Sequence, residues 1–276
     1  MPTPPLNTAH LLQPLDRELM DLLQSLSPAE WEQQTIAKLW TVKDVVAHLL
    51  DSNIRVLSIF RDDFYGEKTD AASYDELVIF LNHLNADWVK AMKRVSPQLL
   101  IQLHKITGPM FCNYMQSLDP FGVSAFPVAW AGEAESKYWM EIAREYTEKW
   151  LHQQQIRDAV NKPGIMTKTF YYPFLDTFMM ALPHTYRNVI AVNGTIIKLT
   201  VSTDIGGTWF LTRADNTWHL SKNVDAPPAT IITIDPDIAW KLFSKSIRPE
   251  SIKEGITISG NEQLGARALT MVAVMA

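Results

Sequence analysis

The sequence predicts two domains of different class: a four-helix bundle over residues 1–160 and an α+β domain with a mostly antiparallel sheet over residues 161–276. In the first part, apolar side chains recur every three or four residues, as they do on one face of a helix. The second part holds short runs of β-branched and aromatic residues separated by turn sequences. Seven of the 11 glycines follow residue 160, so the composition changes at the same place.

Helix starts in the first part carry capping sequences. Ser27–Glu30 combines an N-cap serine, a proline at the first helical position and a glutamate three residues after the serine. Thr41–Asp44 and Ser73–Glu76 repeat the cap-plus-acid pattern, and Ser96-Pro97 repeats the cap-plus-proline pattern. We therefore expect helices to begin after residues 27, 41, 73 and 96. Gly108-Pro109 is expected to interrupt the last of these helical patterns.

Apolar stripes with helical spacing follow, over residues 42–60, 77–95 and 139–150. A long connection, at residues 119–135, precedes the last helix. Helices that are apolar on one stripe must pack against each other, which favours a bundle of four with one long crossover. Asn161–Gly164 is typical of a helix end followed by a turn, and it sets the predicted domain boundary.

The second part is predicted to be a sheet with a few helices. Its expected strands are residues 189–192, 196–201, 208–212, 218–220, 230–234 and 256–258. Asp235-Pro236 is expected to start one helix, because proline is favoured in the first turn, and a final helix is expected to begin near Glu262.

Composition and charge exclude several classes of protein. With 47% apolar and 20% charged residues the chain is expected to fold, and its longest apolar stretches, at residues 45–50 and 269–276, are too short to span a membrane. The formal net charge is −5 and no basic run is present, which argues against a nucleic-acid partner. Cys112 is the only cysteine, and no signal peptide is visible, so we expect a cytoplasmic protein.

One predicted helix combines residues with metal-binding chemistry. Glu148 and His152 are one turn apart on a polar stripe, so a carboxylate oxygen and an imidazole nitrogen can reach one metal ion. His48, at the edge of the apolar stripe after Thr41, is the candidate third ligand. The same spacing is also typical of a solvated helix face with a Glu–His pair, and for His48 of a half-buried histidine. Spacing alone leaves both alternatives open.

Several segments resemble the mycothiol-dependent maleylpyruvate isomerase family. Leu39–Leu49 is similar to the W-T-V-x-D-x-x-x-H-L opening of DinB-like bundles, and Leu81–Val89, Ser96-Pro97 and Ala143–Ala159 resemble the N-terminal domain of the family. In the second part, the resemblance is to the sterol-carrier-like C-terminal domain of the family. The matching segments there are Gly206–Arg213, Asp235–Trp240 and Met271–Ala276.

The resemblance implies a metal site and a thiol cofactor. It assigns His48, Glu148 and His152 as ligands of a divalent ion, expected to be zinc, with nickel as the alternative. Three protein ligands leave one coordination position open, as in catalytic zinc sites. The implied cofactor is a low-molecular-weight thiol, mycothiol or an equivalent, and the implied activity is that of an isomerase or transferase acting on a small unsaturated or electrophilic substrate. The substrate and the oligomeric state are left open.

Two further residues are candidates for catalysis. Glu145 is the candidate general base if the protein is instead a thiol-independent metal hydrolase, and Arg213, like Arg187, is a candidate contact for a substrate carboxylate. Either arginine is also compatible with a solvated position on the sheet. Arg144 or Arg157 is expected to balance the acidic side chains of the last helix.

A third class is a non-catalytic binding protein with a structural metal. Such a site would be closed by a fourth ligand, for which His83 and Gln155 are the candidates.

Overall fold

The computed structural model describes residues 3–274, which form two compact units. The helical unit takes in residues 7–120 and 148–165, and the mixed unit takes in residues 3–6, 121–147 and 166–274. The units are interleaved along the sequence, so they do not define a single boundary. The boundary near residue 160 stays a prediction about independently folding domains.

Helix α3 packs against α4 and α5, and α5 also packs against α1. A short π-helical turn, Leu57–Arg61, extends α3. The helices are α1 (Ala9–Ser25), α2 (Pro28–Trp31), α3 (Val42–Val56), α4 (Tyr74–Met92), α5 (Pro97–Ser117) and the second half of α6 (Tyr138–Val160).

The predicted helix starts are confirmed at all four places. Ser27 and Thr41 each form a complete capping box, and the hydroxyls of Ser73 and Ser96 accept hydrogen bonds from backbone N–H groups of α4 and α5. The helix after Ser27 has only four residues. The cap at Thr41 fixes where α3 begins, seven residues before His48.

The prediction that Gly108-Pro109 interrupts a helix is wrong, since α5 continues through both residues. A Cβ atom at Gly108 would lie 2.5 Å from Oδ1 of Asp16 on α1. The glycine therefore permits close approach of α1 and α5, and it serves packing rather than helix termination.

The core of the helical unit joins α1, α3, α5 and α6. Helix α1 was not singled out from the sequence, although its leucines have helical spacing. The buried cluster consists of Leu19, Leu22, Leu23, Trp31, Val42, Val45, Val46, Leu49, Leu50, Leu100 and Ile156.

The mixed unit is built on a five-stranded sheet with strand order β3-β2-β1-β4-β5, in which β1 and β4 are parallel and the other pairs are antiparallel. A mostly antiparallel sheet was predicted. The strands are β1 (Ile196–Val201), β2 (Gly207–Ala214), β3 (Thr217–Ser221), β4 (Thr230–Ile234) and β5 (Ile256–Gly260). The helices are α7 (Lys168–Met179), α8 (Leu182–Tyr186), α9 (Pro236–Phe243) and α10 (Glu262–Ala268).

The strand predicted at residues 189–192 does not form. This apolar run is a loop before β1, with Ile190 92% and Val192 81% exposed. The sequence did not indicate α7, which precedes it. Residues 275 and 276 of the matching segment Met271–Ala276 lie outside the described residues. Within residues 3–274, no helix is both long and apolar enough to cross a membrane.

Because His104 is buried, we expect the helical unit to lose stability in acid. His104 is 1% exposed on α5, and burial lowers its pKa from 6.5 to about 4. The unfolded chain therefore takes up a proton that the folded protein excludes, so the free energy of unfolding falls as the pH drops from 6.5 towards 4. Between about pH 7.5 and about pH 5 we expect His104 to account for a loss of about 2 kcal/mol.

Urea unfolding at these two pH values measures the effect. The variant His104→Gln, which keeps an amide donor for the Val46 carbonyl, is expected to show a pH dependence smaller by that amount. His83→Gln, at an exposed position of α4, is the control and is expected to behave as wild type. An equal pH dependence in His104→Gln and wild type would contradict the assignment.

Candidate metal centre

Three side chains of the helical unit converge on one point. Nε2 of His48 lies 3.0 Å from Oε1 of Glu148, and Nε2 of His152 lies 3.0 Å from the same oxygen. The three ligand atoms all lie within 4.8 Å of one another. Of the residues that the structure describes, only these form such a group of three His, Cys, Asp or Glu side chains. Helix α3 supplies His48, and α6 supplies the other two, one turn apart.

The charge states of these groups suit a cation. His48 is 4% exposed, and burial lowers its pKa to about 4, which keeps the imidazole neutral at neutral pH. Burial alone would raise the pKa of Glu148, yet the two histidines beside its carboxylate bring it well below its usual value. A neutral imidazole and an ionised carboxylate are the forms that bind metal ions.

The surroundings of His152 test whether a metal ion fits. Its Nδ1 lies 2.8 Å from Oε1 of Gln155, an oxygen that can only accept, so Nδ1 carries the proton. Nε2 is then the ring nitrogen that faces the carboxylate oxygen of Glu148. Two imidazole nitrogens and a carboxylate oxygen that face one point are a donor set that fits a bound divalent metal ion.

An aromatic side chain covers part of the cluster. The indole of Trp40 lies 4.7 Å from the ring of His48 and 6.1 Å from that of His152, measured between centroids. Its position is fixed by the preceding loop, because the Trp40 carbonyl accepts hydrogen bonds from Oγ1 of Thr35 at 2.7 Å and from Nε2 of Gln34 at 2.8 Å. The indole therefore keeps water from the adjacent faces of both imidazoles.

Gln155 and His83 do not occupy ligand positions. Gln155 is buried and binds the outer nitrogen of His152, while His83 is exposed on α4. The three clustered side chains thus have no fourth protein ligand of the His, Cys, Asp or Glu type among residues 3–274. A metal ion held by these three side chains alone would keep one coordination position open.

Glu145 is paired and buried. One nitrogen of Arg144, Nη2, lies 2.6 Å from Oε1 of Glu141 and 2.7 Å from Oε1 of Glu145. Glu141 is 3% and Glu145 4% exposed, in the part of α6 that belongs to the mixed unit. Arg144 therefore balances this acidic pair, whereas Arg157 binds Glu18 in the helical unit. A catalytic role of Glu145 stays a prediction.

Arg213 is buried in the mixed unit without full hydrogen bonding. It is 7% exposed on β2, its guanidinium lies 5.6 Å from the ring of Trp218, and its Nε and Nη1 have no hydrogen-bond partner. Arg187 differs, since it is exposed and bonds to the carbonyl of His184. Of the two arginines, Arg213 is the one with free donors for an anion.

Cys112 offers no reactive thiol. It is 1% exposed on α5, and burial raises the pKa of its thiol to about 12. A buried thiol with a raised pKa is inert as a nucleophile.

Three features of the site were not predicted from the sequence: the contact between Gln155 and His152, the position of Trp40 and the position of Lys149. Gln155 is three residues after His152 on one helix, so its contact was open to prediction from spacing. The positions of Trp40 and Lys149 depend on packing between helices, and no local pattern indicates them.

Fold and site together define a helical protein with a two-histidine, one-carboxylate centre, joined to a mixed α/β unit. Residues 12–157 match the family model of the mycothiol maleylpyruvate isomerase N-terminal domain. The chain therefore belongs to this family. No curated protein matches it in sequence.

Solved structures show the same fold. A crystal structure of the mycothiol-dependent maleylpyruvate isomerase is similar with a TM-score of 0.54 and 12% identity over 91% of both chains. A mutant of that enzyme with a histidine replaced by alanine gives a TM-score of 0.53 and 11% identity, again over 91% of both chains. At this level of identity the likeness concerns the fold.

Gln155 is predicted to strengthen metal binding through His152. Without an acceptor at Nδ1, the ring of His152 loses its fixed orientation and proton position, so Gln155→Leu is expected to weaken zinc binding by about 10- to 100-fold. Competition titration with a chromophoric chelator measures the affinity.

Gln154→Leu is the matched control, because Gln154 is its similarly buried neighbour and its Oε1 has no hydrogen-bond partner. We expect this variant to bind zinc as wild type does. If Gln155→Leu also bound zinc as tightly as wild type, the contact between Gln155 and His152 would be irrelevant to the site.

Proposed function

We propose that the protein is a divalent-metal enzyme that uses a low-molecular-weight thiol to isomerise or transfer groups on a small unsaturated or electrophilic substrate. The observation that carries the proposal is the convergence of Nε2 of His48 and Nε2 of His152 on Oε1 of Glu148. Two imidazoles and one carboxylate in this arrangement are a donor set for a divalent cation. Membership of the family supplies the link to thiol-dependent chemistry.

Zinc is the proposed metal, with nickel as the alternative. His48, Glu148 and His152 would hold it, and two imidazoles with one carboxylate are a frequent donor set for catalytic zinc. When bound, such an ion acts as a Lewis acid and lowers the pKa of a thiol or water that occupies its open position. Gln155 keeps Nε2 of His152 available as the ligand atom, and Trp40 excludes water from one side.

The reacting thiol is proposed to come from outside the chain. Cys112 is the only cysteine, and it is buried with a raised pKa, so the protein has no nucleophilic sulfur of its own. Mycothiol or an equivalent small thiol is the proposed cofactor, as the description of the matched family suggests. The cytoplasm, where thiols stay reduced, is the compartment that fits this chemistry.

Arg213 is proposed to bind a carboxylate of the substrate. Its unpartnered nitrogens offer the donors that such a group needs, and a buried guanidinium binds a carboxylate strongly. A hydrolase that uses Glu145 as its base is the weaker alternative, because an oxygen of that carboxylate already accepts a hydrogen bond from Arg144. In the non-catalytic alternative, the mixed unit would bind a small apolar molecule and the metal would be structural.

Metal content and turnover together test the proposal. Purified wild type is expected to contain near-stoichiometric zinc or nickel by elemental mass spectrometry and to consume small electrophiles only when a thiol is present. His152→Ala, which removes a ligand, is expected to lose both metal and turnover. Arg213→Gln is expected to keep the metal and lose turnover by at least about 100-fold, since a buried charged contact to the substrate disappears.

The outcomes separate the alternatives. Wild type without metal after reconstitution would contradict the catalytic proposal and favour small-molecule binding. Metal-dependent turnover that does not need a thiol would favour the hydrolase. Retention of full turnover by Arg213→Gln would remove Arg213 from the site.

A further inference from the structure

Lys149 joins helices α6 and α3 beside the candidate metal centre. Its ammonium donates hydrogen bonds to the carbonyl of Leu49 at 3.1 Å and to Oδ1 of Asn53 at 2.6 Å. Leu49 directly follows His48, and Lys149 directly follows Glu148. The contact therefore connects the chain next to one ligand with the chain next to another.

The same ammonium lies where a third helix meets these two. It is 4.5 Å from the ring centroid of Phe111 on α5. Nδ2 of Asn53 donates to Oγ1 of Thr107 on α5 at 3.1 Å, and that hydroxyl donates to the carbonyl of Leu103 at 2.9 Å. Lys149 is thus part of a hydrogen-bonded network that spans α3, α5 and α6.

Two acidic side chains of the helical unit interact with this ammonium. Burial raises the pKa of Asp16 on α1 and of Asp51 on α3, and the positive charge of Lys149 opposes the rise in both cases. Arg55 opposes it as well at Asp51, to which it is ion-paired at 3.1 Å. Lys149 therefore holds a position at which a positive charge is favourable.

The metal centre needs this precision between helices. Glu148 and His152 keep their spacing through the local geometry of α6, but His48 reaches them only if α3 and α6 keep their relative position. A slip of one residue would move a ligand by about 1.5 Å along the helix axis and about 100° around it. Metal–ligand distances tolerate only about 0.2 Å.

We propose that Lys149 is a positioning residue that fixes the register of α3 against α6 and so brings His48 into the metal site; the inference rests on the proposed metal site. An apolar side chain of similar length fills the same space without fixing the register. Removal of the ammonium leaves the Leu49 carbonyl and Oδ1 of Asn53 without this donor, which costs stability. Zinc affinity is therefore measured on the folded protein, where a residue that only stabilises the fold would leave it unchanged.

The test compares zinc affinity with stability in Lys149→Met. We expect zinc, added alone in a competition titration under conditions where the metal-free protein is folded, to bind about ten-fold or more weakly, while urea unfolding of the metal-free protein measures the loss of stability separately. Lys162→Met is the matched control. Lys162 bonds to the Ser25 carbonyl and to Glu30, away from the ligands, so its loss is expected to leave zinc affinity unchanged.

Asn53→Leu removes the same contact from the α3 side, and it carries the test if Lys149→Met does not fold. We expect it to weaken zinc binding by a similar factor, and the double variant to be no weaker than the worse single variant. Equal zinc affinity of wild type and Lys149→Met, or additive losses in the double variant, would overturn the positioning role. Wild type that binds no zinc would overturn the proposed function itself.

Discussion

The approach of two imidazole nitrogens to one carboxylate oxygen, Oε1 of Glu148, is the interaction on which the functional account depends. It joins a local and a long-range constraint. Glu148 and His152 meet because they are one turn apart on α6, whereas His48 comes from a helix a hundred residues earlier. The apolar core between α1, α3, α5 and α6 therefore does more than stabilise the fold, because it holds the third ligand in place.

Polar side chains also orient and position the candidate ligands. Gln155 fixes the proton position of His152 from within α6, and Lys149 acts between helices through Leu49 and Asn53. The ligands themselves carry the charges that a cation needs, with His48 neutral through burial and Glu148 ionised through its imidazole partners. The burial of Cys112, the only cysteine, fits the proposed function, in which an external thiol would supply the sulfur.

Local patterns predicted the parts of this structure that depend on neighbouring residues. The caps at Thr41 and Ser96 set the starts of α3 and α5. Short runs of β-branched residues between turn sequences predicted β1 and β4 with their observed bounds. The strand predicted from the apolar run at residues 189–192 was wrong, because no partner strand pairs with it in the described structure. The segment is an exposed loop.

Contacts between segments that are far apart in the chain could not be predicted from local sequence patterns. The spacing of Glu148 and His152 could be read from the sequence, and a balancing role for Arg144 was expected, but the burial of Glu145 and the network around Lys149 follow only from packing. Gly108 is similar, since its role depends on Asp16 of another helix.

X-ray absorption spectroscopy of the zinc-loaded protein, with and without a small thiol, shows which atoms hold the metal and whether a thiol joins them. We predict a shell of two imidazole nitrogens and carboxylate oxygen at about 2.0–2.2 Å, and a sulfur scatterer at about 2.3 Å that is present only when the thiol is added. Because Cys112 is buried and is the only cysteine, this sulfur must come from the added thiol. A zinc shell without imidazole, or one that the thiol does not change, would contradict the account.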